Sequence, residues 1–253
     1  MESIDMQYPL AGTVSNQSRR ECLIAIVLTA AAVISSTRAS DALGLSFGEL
    51  SQTDASAGVK AALERGADIA VQRLGRQDGF WANDWVRIPL PDWISKAERG
   101  LKLIGKGRDI EDLKLGVNRA AEQAVPQAKK LLTDAVSSMT VQDAKAILKG
   151  GGDSVTMFFK DKTARLLEAK FLPIVTRVTD RIGLAKQYNQ IAAQIEQSGL
   201  IRFRPEQRRV ETHVTVKTLD GLYFMIGEEE RKIRRDPVAA GSDILRRVFG
   251  TLR

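Results

Sequence analysis

The chain is nearly empty of the two residue types on which most metal and nucleophile chemistry depends. Among 253 residues it holds one cysteine, Cys22, and one histidine, His213. A single cysteine excludes a disulfide framework within the chain and every multi-cysteine zinc or iron–sulfur site. A single histidine excludes any site that needs two. The di-iron carboxylate bundles, which require Glu-x-x-His on two helices, fail on that count and again because Val210 stands three positions before His213. Aromatic residues make up only 6%. What is present is ordinary globular material: 43% hydrophobic and 27% charged residues, which excludes a disordered or collagen-like chain. The length suits one large domain or two small ones with a real core. The balance is basic, +7 at neutral pH with a pI of about 9.6.

The long uncharged apolar run covers residues 22–36. It is short for a membrane span and suits the apolar region of an export signal. Arg19 and Arg20 precede it, and Thr37-Arg38-Ala39 follows, with Ala39 at the expected cleavage point. The run Ser18-Arg19-Arg20-Glu21-Cys22-Leu23-Ile24 resembles a twin-arginine signal, with Cys22 where Phe is usual. Two alternatives stay open: the general secretory route, and a buried N-terminal helix of a cytosolic domain. The expected division is a signal peptide over 1–39 and a helical domain over 40–253, in the periplasm. Residues 1–39 carry three basic and three acidic side chains, so cleavage leaves the net charge unchanged. It also removes Cys22, which suits an oxidising compartment.

Beyond residue 50 the apolar spacing has a helical period. Val59, Ala62, Leu63, Gly66, Ile69, Ala70 and Leu74 form one stripe, closed by Gly75 as a C′ residue. The stretch Gly75–Pro91, with Trp81, Trp85 and Arg87-Ile88-Pro89-Leu90-Pro91, reads as a structured loop. Residues 92–104 predict a short helix ended by Gly105 and Gly107. Ile110, Leu113, Val117, Ala120, Ala121 and Ala124 continue in phase through Ala128, Leu131, Leu132 and Ala135, with a kink or break at Pro126. Thr140 and Asp143 resemble a capping box, and Asp153 is the natural cap of a helix that breaks at Pro173. Further helices are predicted over 174–182, 184–197, 205–235 and 242–249. No run alternates with the period of a strand between hairpin turns. The fold class is all-α, a single compact domain of about eight or nine helices.

Several segments together resemble the bacterial domain of unknown function 4197 family. They are Asp78-Gly79-Phe80, Arg87-Ile88-Pro89-Leu90-Pro91, Asn118-Arg119-Ala120-Ala121-Glu122 and Gly151-Gly152-Asp153 with Thr156. They continue with Leu219-Asp220-Gly221-Leu222, Glu229-Glu230, Ile233-Arg234, Asp236-Pro237 and Val248-Phe249-Gly250. The resemblance runs from about residue 58 to 250 and implies an exported, mostly helical protein, without implying an activity. The chain departs from the family pattern at Ser154-Val155 and at His213, where a Tyr is usual. That argues against His213 as a shared ligand or catalyst. Asn118, Arg119, Glu122, Asp220, Glu229 and Arg234 are the candidate structural or ligand-binding cluster.

Other chemistries find little support. A Ser–His–acid site needs a base beside its nucleophile; His213 stands alone and no Gly-x-Ser-x-Gly elbow is present. Gly100 to Lys106 matches the first seven positions of a phosphate-binding loop, but Gly107 stands where Ser or Thr must hold magnesium. Leu101, Leu103 and Ile104 within it read as the end of a packed helix. Gly150-Gly151-Gly152 before a helix is better explained by caps than by an anion. Basic clusters at Arg202, Arg204, Arg208, Arg209 and at Arg231, Lys232, Arg234, Arg235 could meet anionic lipid headgroups. Aromatic residues do not interleave with them as nucleic-acid stacking requires. The favoured reading is a non-enzymatic envelope protein that binds a partner protein or an anionic lipid surface, without cofactor or nucleic acid. The alternatives are an acid-dependent hydrolase or lyase using Glu122, Asp220, Glu229 or Glu230, and a carrier of an apolar ligand.

Glu229 carries the sharpest expectation. At about 100° per residue it falls within the apolar stripe of Thr215, Leu219, Leu222, Ile226 and Ile233, while Glu228 lies away and Glu230 toward one edge. A carboxylate there must be paired. Arg119 is the expected partner.

Overall fold

A computed structural model describes residues 46–142, 144–197, 199 and 209–252. The export-signal residues Arg19, Arg20 and Ala39 lie outside the described residues, as does Asp143 of the expected capping box. Eight helices and no strand are present among the described residues: α1 (Gln52–Leu74), α2 (Asp92–Leu103), α3 (Gly107–Ser138), α4 (Ala144–Lys149), α5 (Ser154–Arg181), α6 (Leu184–Gln197), α7 (Val210–Arg235) and α8 (Asp243–Gly250). Leu45–Arg253 is one compact unit. No helix among the described residues is long and apolar enough to cross a membrane.

The apolar stripes became the buried faces. Val59, Leu63, Ala70 and Leu74 of α1 meet Ile110, Leu113, Val117 and Ala121 of α3 and Leu222 and Ile226 of α7 in one core. At the α1–α7 crossing the two helices approach closely. A Cβ on Gly66 would stand 2.9 Å from Ile226 Cγ2 and 3.3 Å from its Cα, so a side chain there would push the helices apart. α5 packs on α3 and α7, and α8 lies against α1 and α7.

Four helix features differ from the sequence expectation. Pro126 and Pro173 lie inside α3 and α5 rather than breaking them. Each proline removes one i→i−4 hydrogen bond, but the apolar stripe stays in phase across it, with Ala121, Ala124, Val125 and Ala128 all buried around Pro126. Gly75 caps α1 at φ −80°, an ordinary right-handed value, and donates its N–H to Val71 O. Leu103 and Ile104 do end a helix, as expected, but they are not packed. Leu101 is buried, but these two are 83% and 68% exposed.

Candidate functional site

The segment between α1 and α2 lacks regular structure, so its backbone groups need partners from elsewhere. α3 provides them. Asn118, fully buried, accepts the Ile88 N–H at 2.8 Å and donates to the Ile88 carbonyl at 3.0 Å, pairing with that residue as a neighbouring strand would. One helical turn later, Glu122 Oε1 accepts the N–H groups of Phe80 and Trp81 at 3.0 and 3.1 Å. Its Oε2 is held by Arg119 at 2.6 Å, and Arg119 reaches on to Asp78 at 2.7 Å. Both carboxylates, Glu122 foremost, raise the Arg119 pKa.

The loop enters this grip through a bend only certain residues allow. Asp78 takes φ 64°, and a Cβ on Gly79 would lie 2.5 Å from Arg73 O and 2.7 Å from Leu74 O. Phe80 then drops into the core against α7, where Gly221 leaves room for its ring: a Cβ there would meet Phe80 Cε1 at 2.7 Å. Asp78-Gly79-Phe80, Asn118-Arg119-Ala120-Ala121-Glu122 and Leu219-Asp220-Gly221 thus converge on one task, fixing the loop.

A second buried group sits at the start of α5. Asp153 stands at the N-cap position without making a side-chain cap, because its carboxylate is taken by Arg231 at 2.8 Å. Glu230 of α7 caps instead. It accepts from the Val155 and Thr156 N–H groups at 3.1 and 2.8 Å and from the Thr156 hydroxyl at 2.7 Å. Arg234 holds Glu230 Oε1 through Nε and a terminal nitrogen at 3.0 and 2.8 Å, donates to Leu148 O and Ser154 Oγ, and lies over the Phe249 ring.

Glu229 is buried as expected, at 5% exposure, but its partner is Arg65 of α1, Nε to Oε1 at 3.0 Å, with Lys232 at 3.6 Å. Arg119 is occupied elsewhere, by Glu122 and Asp78. Glu230 is buried too rather than toward an edge, because α7 is enclosed on most of its circumference. Asp220 is half-exposed and paired with Lys160 at 2.9 Å. The six cluster residues therefore do not gather at one point. Asn118, Arg119 and Glu122 form one group, Arg234 belongs with Glu230, and Glu229 and Asp220 stand apart. Among the described residues no three His, Cys, Asp or Glu side chains are grouped to hold a metal ion.

What lies open is a groove between the 83–93 loop and α7. At one end it widens to about 800 Å³ over Leu90, Trp93 and Tyr188, rimmed by Lys96, Arg209 and Lys217. It shares Pro89 and Lys217 with a smaller stretch lined by Trp85 and Phe224. Those two rings in turn border a third hollow with Arg73 and Lys232. Trp85 is 81% exposed and stacked on Phe224 at 6.2 Å between centroids. Sequence reasoning missed this groove; the exposed Trp85, flanked by Asp84 and Arg87, was its one visible signal.

His213 lines the wide end and donates through Nε2 to Pro89 O at 2.7 Å. Burial, foremost, and the Lys217 charge hold its pKa below the usual histidine value.

A family model described as Protein of unknown function (DUF4197) matches residues 49–250. The chain belongs to that family. No curated protein and no solved structure matches it. Within this DUF4197 chain, the segments that carry the resemblance are largely the loop clasp and the α5 cap just described.

Proposed function

We propose that this DUF4197 chain is an exported, periplasmic, non-enzymatic protein of the bacterial cell envelope that binds an acidic, extended segment of a partner protein in the α7 groove. The observation that carries the reading is the groove's combination of length, charge and an exposed aromatic platform. From His213 to Lys232 it follows α7 for roughly 28 Å at about 1.5 Å per residue, too long for one small ligand and suited to about eight extended residues. Lys96 and Arg209 are exposed and have no carboxylate within ion-pair distance among the described residues, and with Lys217 they outnumber Asp92, the carboxylate that lines the wide end, so an incoming acidic chain meets net positive charge. Trp85 on Phe224 supplies a rigid apolar anchor of the kind that dominates binding energy. The four carboxylates considered as general acids support the same reading: Glu122 and Glu230 hold backbone N–H groups, and Glu229 and Asp220 are ion-paired.

Native mass spectrometry of the protein taken from its own envelope tests this. A bound acidic protein, lost on Trp85→Ala with Lys217→Glu, is expected. A bound lipid would favour the carrier reading instead. N-terminal sequencing of the same sample should begin near Ser40, and Arg19→Lys with Arg20→Lys should block export if the signal is of the twin-arginine type.

A further inference from the structure

The Gly100–Lys106 stretch, which resembles part of a phosphate-binding loop in sequence, is the rigid turn that ends α2. Gly105, at φ 81°, takes the left-handed position. The Lys106 N–H returns to Leu101 O at 2.9 Å and the Gly105 N–H to Lys102 O at 3.1 Å, the paired bonds of a Schellman end. This geometry turns Leu101 inward and carries Leu103 and Ile104 out, 83% and 68% exposed on adjacent positions. The turn protrudes: beyond the adjoining residues and the helix's own backbone, no atom lies within 4 Å of where a Cβ would stand on Gly100 or Gly105.

The rim of this tip mixes charges, with Glu98, Asp109, Glu111 and Asp112 among its cations, but its two arginines are not paired with them. Arg99 and Arg108 are exposed without a carboxylate at ion-pair distance among the described residues. Arg99 and Leu103 share one side of α2 at about 100° per residue. Lys102 and Lys106 add charge, although each is shared with acidic neighbours, Lys102 with Glu98 and Glu111 and Lys106 with Asp109.

We propose that the Leu103–Ile104 turn inserts into the interfacial region of an anionic lipid bilayer, with Arg99 and Arg108 meeting headgroup phosphates. A lasting protein interface buries about 800 Å² on each side with close complementarity, which two convex side chains do not provide. A bilayer accepts a small apolar tip ringed by cations, because the side chains enter the acyl boundary while the cations stay among the headgroups. This site is separate from the α7 groove and stands whether or not the groove binds a partner.

The test uses the protein as the cell accumulates it, floated with vesicles of equal parts phosphatidylglycerol and phosphatidylcholine. Wild type is expected to float, and less so as salt rises. Leu103→Ser with Ile104→Ser should cut the vesicle-bound fraction about tenfold or more at an unchanged melting temperature, and Arg99→Glu with Arg108→Glu should weaken binding to the anionic vesicles. In Leu103→Trp, fluorescence quenching by brominated acyl chains should exceed that of wild type, reporting insertion at that residue whatever else touches the membrane. Lys217→Glu, in the groove, should leave flotation unchanged. Failure of wild type to float, equal flotation of the double serine variant, or no added quenching in Leu103→Trp would each overturn the proposal.

Discussion

Glu230 of α7 caps α5 across a gap of 74 residues in sequence from Thr156, whose N–H it accepts at 2.8 Å. The cap residue in sequence, Asp153, is turned away to Arg231. Helix start and core helix are therefore fastened by one carboxylate, which is itself held by Arg234. Glu230→Ala strips partners from two backbone N–H groups, the Thr156 hydroxyl and a largely buried guanidinium. A loss of about 3–5 kcal/mol is expected, since breaking a buried pair leaves its charge uncompensated. Glu230→Gln retains an acceptor and should lose less. Urea unfolding of the two variants measures the difference.

Asn118→Ala leaves both the N–H and the carbonyl of Ile88 without their side-chain partner in a site closed to water. Each buried unsatisfied group costs about 1–3 kcal/mol, so a loss of about 2–4 kcal/mol is expected. The effect should be local before it is global. Limited proteolysis within 75–91 should accelerate at temperatures where the far-ultraviolet circular dichroism of the helices is still intact. Equal protection of that loop in variant and wild type would show that Phe80 and Glu122 hold it without Asn118.

The Arg65–Glu229 pair is buried on one side only, with the Arg65 side chain 39% exposed. Solvent screens it, and Lys232 stands by as a second cation. Glu229→Ala should therefore cost on the order of 1–2 kcal/mol, less than a fully buried pair. A double-mutant cycle between Arg65 and Glu229 should give a coupling of about 0.5–1 kcal/mol, and one between Arg119 and Glu229 should give none.

The all-α class, the order of the helices and the buried stripes of α1, α3 and α7 were legible in sequence because apolar periodicity is a local signal. Val59 to Leu74 repeats at helical spacing wherever the chain is read. The partners of buried polar groups were not legible. That Glu229 needed a cation follows from its place in a stripe, but choosing Arg65 over Arg119 requires knowing that α1 crosses α7 at Gly66. Asp153 had every local mark of a cap, and lost that role to a residue brought by tertiary packing. Pro126 and Pro173 were overruled in the same way: a locally costly residue is tolerated when the stripe on both sides stays buried. The Leu103–Ile104 turn misled for a related reason, since apolar identity does not say which side of a helix end is covered.

His213 gives the fold a pH dependence in the mildly acidic range. Its ring is packed between α7 and the Pro89–Trp93 segment, where burial and Lys217 disfavour the charged form, while Asp92 and the Pro89 carbonyl favour it. The net effect is a folded-state pKa below the ordinary value, so the unfolded chain binds this proton more tightly than the folded one. Stability is then full above about pH 6.5, falls as the unfolded histidine protonates, and levels once the folded ring is also charged. In His213→Gln the titrating group is gone while a donor to Pro89 O can persist. Chemical denaturation at a series of pH values between about 7.5 and 5.5 should show wild type losing stability relative to His213→Gln as pH falls. A constant gap between the two proteins across that range would mean that His213 protonates as readily folded as unfolded.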